Sequence, residues 1–304
     1  MKVVITGATG FIGTALCSEM IEAGHEVTAI IRPGSLKRER LPKGVTVIEL
    51  ELNRLSELEG KFDLFYHLAW NGSSGDDRND FYIQNSNIVY TVEAVKAAKR
   101  CGCNKFIGAG SQAEYGVVKG VCTEETNPKP FMLYGAAKLS AYHMAKIVAE
   151  QEGISFVWPR IYSVYGVGEN QGTLISYLIS TLLKGESPEL TACENMWDYI
   201  YITDCVKALR LLGEKKLSDS GNYIYNISRG SPRILKDFVK EVRNIIDPNA
   251  ELKFGAKHSN AGTSYWLEPD VTKLMNEGFL PEVSFKQGIT EIKNHGGKKD
   301  ELLR

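Results

Sequence analysis

A tyrosine and a lysine stand four residues apart in the segment YGAAK, as Tyr134 and Lys138. If this segment is helical, the two side chains share one face, because residues i and i+4 are neighbours on a helix surface. A free tyrosine has a pKa of about 10 and is only about 0.1% ionised near neutral pH. An ammonium group within about 4–6 Å lowers such a pKa by about 1–3 units. The pair can therefore exchange a proton with a substrate oxygen, although the spacing alone also fits a surface pair on a packed helix.

The elements that must position this pair follow a regular alternation of short apolar runs and helical patterns. The predicted strands are 2–6, 26–31, 45–50, 63–69, 105–110 and 154–162, and the predicted helices are 11–23, 81–102 and 133–151. Short continuous apolar strands separated by helices are typical of a parallel sheet that is covered on both faces. We therefore expect an α/β fold, a Rossmann-type doubly wound parallel sheet with a smaller mixed α/β C-terminal substrate lobe.

The alternation breaks down after the glycine-rich segment GVGENQG at 166–172. We predict a dinucleotide-binding domain over 1–166 and a substrate-binding lobe over 167–304. The two are expected to be interleaved, with 197–227 returning to the sheet.

Three glycines follow the first strand in TGATGFIG and open the first helix. At a strand-to-helix turn, glycines let backbone N–H groups approach a pyrophosphate at the helix N-terminus. This context makes the motif a predicted dinucleotide site and not a turn without a ligand. The predicted cofactor contacts in this loop are Gly7, Thr9, Gly10, Phe11, Ile12 and Gly13.

The end of the second strand indicates which dinucleotide is bound. An NAD site usually places an acid there for the ribose 2′-hydroxyl, but this chain has Ile31 followed by Arg32. Ser35, Lys37 and Arg38 come close behind, and a 2′-phosphate needs such charges and donors. NADP(H) is therefore favoured, while NAD(H) and a solvated basic loop remain open.

The motifs TGATGFIG, YHLAW, GSQAEYG and YGAAK resemble those of the extended short-chain dehydrogenase/reductases. More narrowly, the chain is similar to the NAD-dependent epimerase/dehydratase family that acts on nucleotide sugars. The segments RIYSVYGVG at 160–168 and WDYIYITD at 197–204 extend the resemblance over almost the whole chain.

The resemblance implies a catalytic trio of Ser111, Tyr134 and Lys138, in which Ser111 hydrogen-bonds the reacting oxygen. Lys138 is also expected to hold the nicotinamide ribose. Further cofactor contacts implied by the resemblance or predicted above are Arg32, Ser35, Leu68, Ala69, Trp70 and Asn87.

The substrate site departs from the family pattern. Ser163 stands where an asparagine is common near the substrate diphosphate, and Trp197 replaces a common arginine before Asp198. Ser163 and Arg233 are the predicted substrate contacts besides Ser111. Glu51 replaces an aspartate near the adenine. The nucleotide of the substrate therefore stays open.

Dehydration is not expected. The family's sugar 4,6-dehydratases carry an additional acid beside the reacting sugar, because elimination of water needs another acid/base group. This chain has Gln112 and Ala113 at those places, and Glu114 comes one residue later. On an extended segment, a shift of one residue turns the side chain to the opposite face.

A reductase or a 4-epimerase remains. A reductase consumes its cofactor and commonly uses NADPH, and the Arg32 region fits that use. The segments AWNGSSG at 69–75 and GSQAEYG are also similar to those of nucleotide-sugar 4-ketoreductases. We predict an NADP(H)-preferring enzyme that reduces a nucleotide-linked 4-keto-6-deoxyhexose at C4. The alternatives are a 4-epimerase with retained NAD and a non-catalytic dinucleotide sensor.

Composition excludes several other classes. With 36 Lys and Arg against 37 Asp and Glu, the net charge of −1 gives no support to a nucleic-acid or membrane partner. Six cysteines and five histidines show no disulfide or metal-ligand spacing, which predicts reduced thiols, no metal and a cytoplasmic location. His67 is expected to be structural. Relatives of this type are often homodimers through helices that would be 81–100 and 133–151 here.

Overall fold

The computed structural model describes residues 1–169, 172–216, 224–257 and 266–301, with side chains up to residue 295. The strands are β1 (Lys2–Thr6), β2 (Glu26–Ile31), β3 (Thr46–Glu49), β4 (Leu64–His67), β5 (Lys105–Gly108), β6 (Gly110–Ser111), β7 (Ser155–Ile161), β8 (Ser163–Tyr165), β9 (Glu189–Leu190), β10 (Met196–Trp197), β11 (Tyr199–Tyr201), β12 (Ile224–Ile227), β13 (Arg233–Ile234) and β14 (Lys253–Phe254). The helices are α1 (Phe11–Glu22), α2 (Phe81–Arg100), α3 (Leu133–Glu152), α4 (Leu174–Leu183), α5 (Ile202–Glu214), α6 (Leu235–Ile246), α7 (Thr272–Asn276) and α8 (Phe285–Glu301).

The main sheet runs β3-β2-β1-β4-β5-β7-β12, and every neighbouring pair is parallel. Its order reverses between β1 and β4, and ligands of open α/β sheets bind at the carboxyl ends of the strands beside such a reversal. The predicted doubly wound parallel sheet is confirmed.

The two faces of the sheet are covered by different helices. One buried cluster joins β1, β4 and β7 to α1 and α5, and a second joins the opposite face to α2 and α3. The second cluster depends on small residues, because α3 turns a stripe of alanines inward at every fourth position. Its members Ala137, Ala141, Ala145 and Ala149 are all buried, which lets α3 lie close to the sheet and to α2. Gly153, in the left-handed conformation with φ of 64°, ends α3.

The predicted strand 105–110 is wrong in one respect, because it divides into β5 and β6. β6 leaves the path of β5 and pairs with β7. The cause is the indole of Trp158 in β7. A Cβ on either Gly108 or Gly110 would overlap that ring, so the chain passes over the indole only with glycine at both positions. The detour delivers Ser111 to the carboxyl edge of the sheet.

The C-terminal part consists of short strand pairs and the helices α4, α6 and α8. β8 pairs with β11, β10 with β13, and β9 with β14. An aromatic cluster of Tyr165, Tyr199, Phe238 and Phe285 joins these elements to the larger core. The segment 197–227 was expected to return to the sheet, and β12 within it pairs with β7. The division of the chain into two domains at residue 166 stays a prediction. Among the described helices, none is both long and apolar enough to cross a membrane.

Candidate active site

The glycine loop between β1 and α1 is shaped by close backbone contacts at three glycines. Gly7 has a positive φ of 70°, and a Cβ there would lie 2.6 Å from the nitrogen of Ala69 at the end of β4. Gly10 donates its N–H to the oxygen of Gly7 at 3.0 Å and caps α1. A Cβ on Gly13 would overlap that same Gly7 oxygen. Only glycine keeps the helix, the loop and the neighbouring strand so close together.

The first turn of α1 has the properties that an anion needs. Gly10 supplies no capping side chain, and the first turn contains no acidic residue. The N–H groups of this turn and the positive end of the helix dipole are therefore available to a phosphate group. The predicted dinucleotide pyrophosphate fits this cradle of backbone N–H groups.

The end of β2 carries a positive charge without a carboxylate partner. Ile31 is buried, whereas Arg32 is exposed and forms no ion pair with the residues that the structure describes. On the neighbouring strand β3, Glu49 is aligned with Ile31. Its carboxylate is already engaged by Arg38 at 3.2 Å and by the backbone N–H of Gly34 at 3.3 Å.

Two buried amides of α2 hold the segment that follows β4. Asn87 accepts the N–H of Asn71 at 2.8 Å and donates to the carbonyl of Asn71 at 2.9 Å. Gln84 accepts the indole N–H of Trp70 at 2.9 Å and donates to two carbonyl oxygens further along the segment, at 2.7 and 2.9 Å. Both amides are at most 2% exposed. They fix the path of this loop, and with it the predicted cofactor contacts Leu68–Trp70.

Tyr134 and Lys138 lie on one face of the first turns of α3. The ring of Tyr134 meets the edge of Trp70, with 6.0 Å between centroids. Lys138 places its Nζ 3.6 Å from the centre of the Trp70 ring and 5.9 Å from that of Tyr134. Gly135 permits this arrangement, because a Cβ there would overlap the carbonyl oxygen of Ala113, just after Ser111. The sequence-predicted pair therefore shares one site with the loops after β4 and β6.

Lys138 is buried, and no carboxylate among the described residues pairs with it. Its ammonium donates to the carbonyl of Ala109 at 2.6 Å and lies on Trp70, both of which favour the charged form. Burial outweighs these contacts and, despite a favourable contribution from Glu114, lowers the pKa of Lys138 to about 7. The lysine of this site, without cofactor, thus changes its charge near neutral pH.

Ser111 ends β6 and caps the short helical turn that follows it. Its hydroxyl accepts the N–H of Ala113 at 3.2 Å, and its own N–H donates to Glu114 at 2.8 Å. The capping role that the residue type allows is therefore present. Capping engages one lone pair of the hydroxyl oxygen, so its O–H can still donate to a reacting oxygen.

Glu114 faces the core and not the space around Tyr134. Its carboxylate receives Nε of Arg160 at 2.8 Å and the indole N–H of Trp158 at 3.0 Å. Glu114 and Arg160 are both at most 1% exposed, so they form a fully buried ion pair. The expectation of an extended segment here is wrong, because Gln112–Glu114 form a short helical turn. This turn nevertheless places the Glu114 carboxylate in the core beside Arg160.

His67, the last residue of β4, is a buried neutral imidazole. Its Nδ1 lies 2.9 Å from the hydroxyl of Thr6, and its Nε2 has no hydrogen-bond partner among the described residues. Burial, together with the positive charge of Lys138, lowers the pKa of His67 to about 3. The expected structural role fits this environment.

The predicted substrate contacts lie in the C-terminal elements. Ser163 begins β8, half-buried, opposite Tyr199 of β11. Arg233 is opposite Trp197 in the β10–β13 pair. Its guanidinium lies 4.0 Å from the ring centre of Phe238 and bonds to Glu241 at 2.8 Å. Arg233 therefore has a carboxylate partner within its own lobe, and its role toward a diphosphate stays a prediction.

Sequence reasoning missed three residues of this site. Gln84 has no motif signal, because a glutamine inside a helical pattern normally indicates an exposed position. Arg160 lies in the strand before β8, 46 residues from its partner Glu114. Arg78, in the short turn at 76–79, places its guanidinium carbon 4.5 Å from the ring centre of Tyr134. The YHLAW motif marks the loop that carries Arg78 but does not show where that side chain goes.

The comparisons with known proteins agree with this geometry. A model of the "NAD dependent epimerase/dehydratase family" matches residues 3–228. The chain belongs to this family. It is an enzyme of the extended short-chain dehydrogenase/reductases, so a non-catalytic sensor is not supported.

The relatives include both kinds of activity that the sequence left open. A Bacillus subtilis protein named "Uncharacterized UDP-glucose epimerase YtcB" is 27% identical, with 95% of this chain and 96% of that protein aligned. CDP-abequose synthase of Salmonella typhimurium is 24% identical, over 95% and 96% of the two chains. The solved structure of MoeE5 in complex with UDP-glucuronic acid and NAD superposes with a TM-score of 0.86 at 25% identity, covering 98% of this chain and all of that one.

Proposed function

We propose that this enzyme reduces a nucleotide-linked 4-keto-6-deoxyhexose at C4 and prefers NADP(H). The reduced nicotinamide would supply the hydride to C4 when it is bound. Tyr134 donates its phenolic proton to the sugar's carbonyl oxygen, which becomes the 4-hydroxyl, and the remaining phenolate takes a proton from solvent. Ser111 donates a hydrogen bond to the same oxygen. Lys138 supports the phenolate and the nicotinamide ribose.

The observation that carries the reductase proposal is Arg32. It is exposed at the carboxyl end of β2, beside the position where an NAD enzyme needs an acid, and no described carboxylate pairs with it. Its planar fork fits the 2′-phosphate of NADP(H) in a bidentate arrangement. An enzyme that consumes its cofactor benefits from this preference. The similarity to CDP-abequose synthase also fits a 4-keto reduction.

The position of Glu114 supports reduction over elimination. An enzyme that removes water from the sugar needs an acid/base group beside it. Glu114 is instead neutralised by Arg160 in the core, and Gln112 and Ala113 cannot take or give a proton. The proposed reaction therefore requires only the proton of Tyr134.

A 4-epimerase with retained NAD is the second candidate, and Glu49 favours it. This carboxylate lies beside the loop after β2, where it accepts the N–H of Gly34. If it released Arg38, it would offer an acceptor to a ribose hydroxyl. The relative from Bacillus subtilis, named as an epimerase, fits this alternative.

Nicotinamide absorbance distinguishes the two candidates. The purified enzyme is mixed with NADPH, and separately with NADH, and with CDP-, dTDP- and GDP-linked 4-keto-6-deoxyhexoses in turn. We expect stoichiometric oxidation of NADPH with one of these sugars, which also identifies the nucleotide. No net oxidation with any of them, together with interconversion of a UDP-hexose pair by protein that already carries NAD, would establish the epimerase.

We also propose a cytoplasmic homodimer that packs α2 and α3 of one subunit against those of the other. The support is a set of exposed apolar side chains on these helices, namely Phe81, Tyr82, Val89, Met144 and Ile147. Light scattering tests the dimer. A monomer at assay concentrations would contradict it.

A further inference from the structure

Arg78 lies where its charge acts directly on the proposed proton donor. It belongs to the short helical turn at 76–79, which joins the loop after β4 to α2. Its guanidinium carbon is 4.5 Å from the ring centre of Tyr134. At that distance a guanidinium and an aromatic face attract each other, and the attraction grows when the ring becomes more electron-rich. A phenolate is more electron-rich than a phenol.

The charge of Arg78 is not neutralised by a neighbour. No carboxylate among the described residues forms an ion pair with it, and its buried Nε has no hydrogen-bond partner there. The side chain is held by the ring of Tyr134 and by the path of its own loop. Gln84 fixes that path through the carbonyl of Asp77, next to Arg78, at 2.9 Å. The loop thus presents an uncompensated cation to the ring.

Lys138 alone is not a constant source of positive charge. Burial brings its pKa to about 7, so without cofactor it loses its charge over the same range in which Tyr134 must work. Arginine stays protonated at every pH at which the protein is folded. The two cations therefore differ in kind, and only Arg78 supports the phenolate independently of pH.

The other charged groups near Tyr134 do not replace Arg78. Those on the packed elements are Asp76, Asp77 and Asp80 around its turn, Glu114 with Arg160 behind Ser111, and His67 at the end of β4. Glu114 and Arg160 offset each other, and His67 is neutral. Asp76 and Asp77 are exposed, where water screens them.

We infer that Arg78 is a positioning residue of the proton-transfer site, which orients the ring of Tyr134 and stabilises its phenolate with a permanent positive charge. The inference rests on the proposed role of Tyr134 as proton donor. A positive charge within about 4–6 Å lowers the pKa of an acidic group by about 1–3 units. Because Arg78 is only half-buried, we expect the lower end of this range, about 1 unit.

The test is the ionisation of Tyr134 in Arg78→Gln, which removes the charge, and in Arg78→Lys, which keeps it. With Tyr134 as the proton donor, we expect kcat of the reduction to fall at alkaline pH, where the phenol loses its proton. Arg78→Gln should raise the pH of this alkaline midpoint by about 1 unit. Arg78→Lys keeps the charge, so its midpoint should stay close to that of the unaltered enzyme. Arg243→Gln, which removes a half-buried arginine from α6 in the C-terminal lobe, should leave the midpoint in place.

A second readout does not depend on turnover. The ring-carbon NMR signal of isotope-labelled Tyr134, assigned as the signal that Tyr134→Phe lacks, reports its ionisation directly and should show the same shift. An unchanged midpoint with a raised KM would overturn the inference, since Arg78 would then be a substrate contact. Equal shifts in the Gln and Lys variants would also overturn it, because lost packing and not charge would be the cause. If the enzyme reduces none of the sugars, the proposed function fails, while the NMR titration still decides the role of Arg78.

Discussion

Replacing Glu114 with glutamine separates a structural carboxylate from a catalytic one. The carboxylate of Glu114 is fully buried and receives three N–H groups, from Ser111, Trp158 and Arg160, at 2.8–3.0 Å. Glutamine has nearly the same shape, but it removes the charge that compensates Arg160. The guanidinium is 1% exposed, so water cannot replace the lost partner.

The expected cost follows from this burial. Breaking a buried ion pair by removing one partner destabilises a protein by about 3–5 kcal/mol. Because Ser111 and Trp158 donate to the same carboxylate oxygen, the amide oxygen of glutamine can still accept both N–H groups, and we expect about 3 kcal/mol, the lower end of that range. This is a large part of a typical free energy of unfolding of about 5–15 kcal/mol. The matched control is Glu150→Gln, whose carboxylate lies 3.8 Å from Lys146 on the exposed side of α3 and should change stability by less than about 0.5 kcal/mol.

Two measurements on the same protein complete the test. Urea denaturation gives the free energy of unfolding, and kcat at saturating substrate gives the chemistry of the folded fraction. For Glu114→Gln we expect the stability loss, with a kcat decrease well below the roughly 100-fold that follows removal of a general acid. A loss of 100-fold or more at unchanged stability would refute the argument, because Glu114 would then act on the substrate and elimination chemistry would have to be reconsidered.

The remaining predictions concern the cofactor and pH. Arg32→Gln should lower the preference for NADPH over NADH by about 10–100-fold, since one charged hydrogen bond to the phosphate is worth about 1.5–3 kcal/mol. The ratio of kcat/KM for the two cofactors measures this preference. An equal change of the ratio in Arg40→Gln would contradict the role of Arg32. Asn87→Ala leaves the N–H and the carbonyl of Asn71 without their partner and should weaken cofactor binding by about 10-fold or more. A fluorescence titration with the cofactor measures this affinity. Unchanged affinity would show that the loop holds its shape without Asn87. Burial lowers the pKa of Lys138 from 10.5 to about 7 in the folded, cofactor-free protein. Unfolding therefore takes up a proton between these values, and the free energy of unfolding should rise with pH across this window. Lys138→Met should lose this contribution, so equal slopes in urea denaturation of the two proteins would contradict the shifted pKa.

The fold could be predicted because its signals are local. Apolar runs such as KVVIT and EVTAII form strands that are buried on both faces, and the glycines of TGATGFIG mark the turn that leads from the first strand into the first helix. The burial of Glu114 was expected from strand alternation, but its actual cause is the helical turn Gln112–Glu114 and the distant partner Arg160. The pairing of Tyr134 with Lys138 needs only helix periodicity and a start of the helix before residue 134.

The rest depends on contacts between distant parts of the chain. The division of the predicted strand 105–110 follows from the volume of Trp158, about 50 residues later, which no local pattern at Gly108 reveals. Arg78 reaches Tyr134 because Gln84 fixes an irregular loop that has no periodicity of its own. The low pKa of Lys138 likewise reflects how completely the folded chain covers it, a property that its spacing from Tyr134 does not contain.

The most direct measurement of the central claim is single-turnover hydride transfer from NADPH in Tyr134→Phe, beside an NADPH binding titration of the same protein. Phenylalanine keeps the ring that lies between Trp70 and Arg78, and it removes only the hydroxyl. We expect unchanged binding of NADPH and a rate of hydride transfer lower by at least about 100-fold. Normal binding together with undiminished hydride transfer would contradict the claim that Tyr134 supplies the proton.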